Sequence, residues 1–269
     1  MCAAMVNVLG RTLSTPAFPE YTYAPVFGSY IEESLELLER SGFHASFRDN
    51  LEDWVETMRG ASAIVAINPS FDPDLHDLHE DVYSIVVTDD DGDRVACMAC
   101  RMIVTDSFYD LMRTGRLWYP PSRAQPVNFV LEGTGPSGVL SHCGGLWVHP
   151  KTRGAGLSWL IPRMMGANAV RMWNVDHHTG IVLENLLARG VPIKNYGVGK
   201  AALAVDGYFS VTGKHEHVYT VETTRDELEE RTRSDLHEIR RDRHKQVRDF
   251  APIARKRNDQ PAVANHATA

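Results

Sequence analysis

The sequence predicts a mixed α/β fold, and three stretches carry that prediction. Val82 to Val104 holds two β-branched runs around an acidic turn containing Gly92. Gly138 to Ser158 is an apolar strand that passes through a Pro turn into a Gly-rich helix start. Gly207 to Val221 is a second hairpin across Gly213-Lys214. Apolar runs on either side of Gly- or Asp-containing turns mark hairpins. A strand–turn–helix crossover between two hairpins makes the layout α/β or α+β.

Length and composition set the bounds. A chain of 269 residues accommodates one large domain, or one domain with attachments. Hydrophobic residues at 43% and charged residues at 23% exclude wholesale disorder, collagen and coiled coil. Four cysteines are too few for a disulfide scaffold, which points to a reducing compartment. The uncharged stretch Gly133 to Pro150 contains five glycines and two prolines, poor material for a lipid-facing helix. No basic residue precedes the apolar run at the N-terminus, so a signal peptide is not expected. The expectation is a soluble, cytoplasmic protein without membrane contact. The net charge is −7, yet Ile239 to Asn258 carries +6. An acidic body should not bind nucleic acid, and the basic stretch reads as a solvated helical face.

The elements follow in order. Tyr30 to Ser41 has helical spacing of Ile31, Leu35, Leu37 and Leu38, with Gly42 as a stop. A second helix is expected over Asn50 to Gly60, a short buried strand over Ala61 to Ile67, and a loop over Ser70 to Asp81. The first hairpin comes next, then a short helix over Ser107 to Thr114. Gly138 to Val148 reads as a strand, Gly156 to Trp173 as a helix and His178 to Val182 as a strand. After the second hairpin, Thr224 to Phe250 reads as one long charged helix opened by a capping box, Thr224 with Glu227. Ala251 to Ala269 has too little apolar content to pack.

The crossover carries the chemistry: Gly145-Leu-Trp-Val-His-Pro-Lys-Thr-Arg-Gly-Ala-Gly-Leu-Ser158. Glycines let backbone approach a ligand closely. The free N–H groups of a new helix, with its dipole, favour an anion. A diphosphate held by backbone amides is the physical expectation, over Arg153, Gly154, Ala155, Gly156, Leu157 and Ser158. Pro162 lies in the first turns of this helix, so the helix starts late or its first turn is irregular.

This segment resembles the signature of the GNAT superfamily of acyl-CoA-dependent N-acyltransferases, Arg/Gln-x-x-Gly-x-Gly/Ala, with Arg153, Gly156 and Ser158 in the three positions. The match is best over Gly138 to Met172 and extends in element order over Val82 to Val221. The resemblance implies a mixed, mainly antiparallel central sheet with helices on both faces. It implies acetyl-CoA as co-substrate, an amine acceptor, direct transfer and no metal. It also implies that the strand before the signature splays from its neighbour, so that amides of Leu146, Trp147 and Val148 pair with the pantetheine arm. Some members carry a catalytic Glu or His six residues before the Val148 position, where His142 stands. Period two puts His142 and Val148 on one sheet face. A histidine satisfied by a backbone carbonyl is an equally weighted reading, with water, Glu132 or Glu184 then taking the proton. The usual acid is a Tyr four residues before a Gly-Phe pair. Here Leu186 and Gly190-Val191 occupy those positions, and Tyr196 is the substitute.

Other motifs carry less. Gly133-Thr-Gly-Pro-Ser-Gly138 spells GxGxxG, but Pro136 interrupts it and a strand follows, where the dinucleotide fingerprint needs a helix. Gly197-Val-Gly-Lys leaves room for one helical turn only. Cys97 and Cys100, three apart on a strand, point to opposite faces and read as core residues. His177-His178 and His215-Glu-His217 lack a third ligand nearby.

The expected organisation is an N-terminal helical elaboration over 1–75, a GNAT-like core over 76–223, and a charged helix with tail over 224–269. Expected partners are an acyl-CoA, an amine and a second copy in a homodimer. An inactive acyl-CoA-binding module and a nucleotide-dependent oxidoreductase are the rival readings.

Overall fold

A computed structural model describes residues 25–61, 67–76 and 81–252. One seven-stranded sheet organises them. Its order is β1 (Phe43–Arg48), β2 (Val82–Asp89), β3 (Arg94–Thr105), β4 (Gly138–Val148), β5 (His177–Leu183), β7 (Lys214–Thr224), β6 (Lys200–Phe209). Every neighbouring pair is antiparallel except β4 and β5, which run parallel. The helix α4 (Leu157–Trp173) makes the crossover that a parallel pair requires.

The two sheet faces are covered by different helices. On one face α1 (Val26–Glu39), α4 and α6 (Arg225–Arg241) pack with Tyr83, Ile85, Val87, Met98 and Cys143. On the other, α2 (Glu52–Gly60) covers Val82, Val86, Cys97 and Ala99, while α3 (Phe108–Arg113) packs with Leu140, Val205 and Phe209. The alternation of β2, Val82 and Val86 against Tyr83, Ile85 and Val87, is the two-residue period of a strand buried on both sides. Cys97 and Cys100 fall on opposite faces as expected. The fold is thus a mixed, mainly antiparallel sheet with helices on both faces. No helix among the described residues is long and apolar enough to cross a membrane.

Besides β6, which starts at Lys200 and not Gly207, and an added short helix over Glu184–Ala188, three departures from the sequence reading shape the fold. Phe43–Arg48 is a strand, with Phe43, Ala45 and Phe47 turned to the face of α1, so the N-terminal region extends the sheet as well as adding helices. Helix α4 begins at Leu157 despite Pro162. Its Gly156 N-cap sits at φ +88°, so the turn bends before the helix and leaves the helix start intact. The charged helix ends at Arg241, after the expected Thr224–Glu227 capping box. The chain then turns, and α7 (Val247–Phe250) packs across the start of α4. Val247 is fully buried and Phe250 stacks on Trp159 at 5.6 Å. α6 itself buries Leu228, Leu236 and Ile239, and Val247 and Phe250 reach the same core once the chain has left its axis. The strand expected over Ala61–Ile67 lies mostly outside the described residues, as do Arg255, Lys256 and Arg257 of the basic stretch.

Candidate functional site

β4 and β5 pair only from Leu140 and His177 to Cys143 and Gly180. Beyond them Gly144–Val148 remains paired to β3 alone, and Ile181–Leu183 to β7 alone. The two strands part there and leave an edge of each facing a cleft.

β4 carries a bulge at the parting point. Ala99 pairs with Gly144, whereas Cys97 pairs with Trp147, so three steps on β4 match two on β3. Gly145 takes φ +59°. A Cβ at Gly144 would lie 2.6 Å from Phe71 and one at Gly145 2.3 Å from Trp54, so both look to the face of α2. Trp54 also donates its indole N–H to the Gly145 carbonyl at 3.0 Å. An extra residue inverts the alternation. His142 therefore lies on the α2/α3 face against Phe71 and Phe108, while Val148 packs toward α1 and α4. The single face that period two assigns to His142 and Val148 is corrected by the bulge.

The amides of β4 divide accordingly. His149 N–H donates to Val95 of β3 at 2.8 Å. Successive residues of an antiparallel strand address opposite edges, so Val148 and Leu146 turn their N–H groups to the cleft. The Trp147 N–H turns to β3, a correction to its expected place among the cleft-facing amides; its side chain packs with the α2 cluster.

At the mouth of the cleft lies the turn Lys151–Ser158. Gly154 and Gly156 have φ of +95° and +88°, conformations that L side chains rarely adopt. The Ala155 N–H closes the turn on Thr152. The N–H groups of Gly154, Gly156, Leu157 and Ser158 donate to no acceptor among the described residues. They form the open end of α4, where partial positive charge accumulates. Lys151 is held by Asp89 and Asp93 of the first hairpin turn. Arg153 is exposed, and a cleft of about 370 Å³ runs from it to Phe43 and Arg248. On α4 the Ser158 hydroxyl accepts from Asn195 at 3.2 Å.

His142 is wholly buried. Burial drives its pKa well below the ordinary value, and nearby Arg101 and His178 add to the drop. Its tautomer follows from the neighbours. The Thr179 hydroxyl donates its only hydrogen to the Ser141 carbonyl at 3.0 Å. It can then only accept from His142 Nδ1, 3.2 Å away, so the ring proton is on Nδ1 and Nε2 keeps a lone pair. That Nε2 is buried with no partner among the described residues. Neutral and deprotonated at a nitrogen enclosed by the protein, His142 is in the protonation form a base requires.

Tyr196 belongs to a different cluster, with Val182, Val198 and Val221 beside β5. Burial pushes its hydroxyl up to about 12, which keeps it protonated. The structure does not bring it into contact with His142. Glu132 is exposed, and Glu184 pairs with His217 at 3.2 Å. Arg101, Thr179, Trp54 and Arg248 are the neighbours that sequence reasoning passes over. Of these only Trp54 had a signal, the adjacent glycines 144 and 145 that its ring requires.

No family model matches the chain, and no curated protein matches it in sequence. Solved structures do match. NAA60 of Arabidopsis thaliana in complex with acetyl-CoA is 15% identical, with 68% of this chain and 99% of that one covered at a TM-score of 0.43. A spermidine N-acetyltransferase of Vibrio cholerae, described as dodecameric, is 12% identical over 69% of this chain and 95% of that one, at 0.43. A ribosomal-protein-S5-alanine acetyltransferase of Vibrio fischeri is 13% identical over 56% and 64%, at 0.35. In its strand order, its parted parallel pair and its Gly-rich helix entry, the chain resembles the GNAT superfamily in fold.

Proposed function

We propose that this protein transfers an acyl group, acetyl in the simplest case, from an acyl-coenzyme A to a primary amine. The observation that carries the reading is the convergence of two sets of unpaired amides. Leu146 and Val148 line one wall of the β4–β5 cleft, and Gly154, Gly156, Leu157 and Ser158 stand at its mouth. The first set suits an amide-bearing arm that adds to a strand edge. The second suits a diphosphate, with Arg153 alongside.

In direct transfer the amine nitrogen forms a bond to the thioester carbon and the carbon–sulfur bond breaks. One proton leaves the nitrogen and one reaches the departing sulfur. Holding the two substrates together supplies much of the acceleration. His142 Nε2 is the proton acceptor, at a nitrogen that its tautomer leaves bare. Tyr196, kept protonated by burial, is the donor to sulfur. The Val148 N–H is placed to polarise the thioester carbonyl.

The test is calorimetric titration of the full chain with acetyl-CoA and with free coenzyme A, followed by thiol release with a panel of amines. Binding with turnover supports the reading, and no binding of either ligand ends it. His142→Gln should lower kcat by about 10²–10⁴-fold with little change in acetyl-CoA affinity. Binding without turnover for any amine would favour the second reading, an acyl-CoA-binding module. Its support is the separation of Tyr196 from His142 across the sheet.

A further inference from the structure

Arg101 of β3 faces His142 of β4, and the same transverse row continues through Thr179 of β5, Glu222 of β7 and Lys200 of β6. A sheet interior between two helix layers is ordinarily apolar, and polar groups placed there need partners. Along most of the row they have them. Thr179 donates to Ser141, Glu222 accepts from Tyr109 at 2.9 Å, and Lys200 lies 3.8 Å from Glu222. At the inner end the accounting fails. Arg101 is 8% exposed and donates from Nη2 to the Leu117 carbonyl at 2.7 Å. Its Nε–H has no acceptor, and His142 Nε2 has no donor, among the described residues. No carboxylate among those residues forms an ion pair with Arg101.

A buried guanidinium seeks an anion, and a bare imidazole nitrogen seeks an N–H or O–H. The two stand on directly opposed residues, whose Cα atoms are about 5 Å apart in such a pair. A molecule carrying both an anionic and a donor group a few bonds apart satisfies both. We propose that the acceptor is a primary amine that also bears a carboxylate, held with its carboxylate on Arg101 and its amine N–H on His142 Nε2. Phe71 and Phe108, packed on the imidazole, give the pair apolar walls in which the charge contact gains strength. This rests on the acyl-transfer reading and narrows its acceptor from any amine to amino acids.

The test uses the full chain with acetyl-CoA and matched acceptors: glycine against glycinamide, β-alanine against β-alaninamide, and 4-aminobutyrate against butylamine. The acids should exceed their neutral partners in kcat/KM by about 100-fold, since a site that pairs a buried charge rejects the analogue lacking it. Arg101→Met should erase that preference without altering coenzyme A affinity, and Arg101→Lys should keep part of it. A measurement on the unaltered protein guards against variants that fail to fold: calorimetry should show N-acetylglycine binding tighter than N-acetylglycinamide. Equal turnover of acids and neutral partners, a preference that survives in Arg101→Met, or equal binding of the two acetyl compounds would overturn the proposal and leave a bridging water as the occupant. Failure to bind coenzyme A would instead overturn the acyl-transfer reading, while discrimination between the acetyl compounds would still place a carboxylate at Arg101.

Discussion

The imidazole of His142 lies parallel to the ring of Phe71, with centroids 5.6 Å apart and planes within 4°. The stack covers one face of the ring, and burial is the main cause of its low pKa. Phe71 also fills the space beside Gly144, so one side chain covers both the base and the bulge.

Phe71→Leu should therefore raise the His142 pKa toward the ordinary value of about 6.5. An NMR titration of the imidazole reads this directly. Phe71→Ala should cost about 3–5 kcal/mol of stability, because the ring is wholly buried. An unchanged His142 titration in Phe71→Leu would show that Arg101 and the sheet, and not the stack, set the pKa.

Stability should depend on pH through two buried histidines. His142 is held well below the ordinary value, and His178 down to about 4, in both cases mainly by burial. The unfolded chain therefore binds protons that the folded chain refuses. The stability conferred by the neutral rings is complete above pH ~6.5 and is lost as pH falls from there toward the folded values. For His178 alone the loss approaches about 3 kcal/mol. Urea unfolding at pH 7.5 and 4.5 should show the difference, and His178→Asn should reduce it to the part that His142 contributes.

Gly154 and Gly156 should respond differently to alanine. Both have positive φ, which costs an L residue about 1–2 kcal/mol. At Gly154 the added Cβ meets open space, so Gly154→Ala should fold and bind coenzyme A more weakly. At Gly156 it would lie 2.6 Å from the Val247 carbonyl, so Gly156→Ala should also release α7. Melting temperature and coenzyme A affinity, measured together, separate the two: weaker affinity with only the small stability cost of the positive φ for the first, and a much larger loss of stability together with affinity for the second.

Thr179 should act as a positioning residue for His142. Thr179→Val removes the acceptor for Nδ1–H and leaves both ring nitrogens without a partner. NMR of the imidazole nitrogens should show a defined Nδ1–H tautomer in the parent and in Thr179→Ser, and a mixture in Thr179→Val. In turnover, kcat should fall about tenfold or more for Val, with KM for acetyl-CoA unchanged and activity restored by Ser. A fixed tautomer in Thr179→Val would assign that role to another neighbour.

The legible parts of this fold are those with a local pattern. The hairpin turn at Asp89–Asp93, the capping box at Thr224 and the glycines of the helix entry each state their structure within a few residues. Strand β1 had a pattern too, Phe43-x-Ala45-x-Phe47, but it is short and follows a helix stop, where a loop is the default reading. The face of His142 was not legible, because one inserted residue at Gly144–Gly145 inverts every side chain before it relative to those after. Two adjacent glycines in an apolar strand hint at a bulge without fixing its register. Arg101 was invisible for a different reason: an arginine in a strand reads as a solvated face, and only the sheet order shows what lies opposite it.

The contact between Gly156 and α7 also orders events during synthesis. Val247 leaves a ribosome well after Gly156, with β5, β6, β7 and α6 in between. The sheet and its crossover helix can assemble while the nascent chain is still tethered. The helix entry reaches its final packing only when α7 has emerged and Phe250 has met Trp159. A stalled or truncated chain lacking α7 would thus retain most of the core and lose the finished shape of one turn. Competence at that turn would therefore follow the emergence of α7, well after the turn itself has been made.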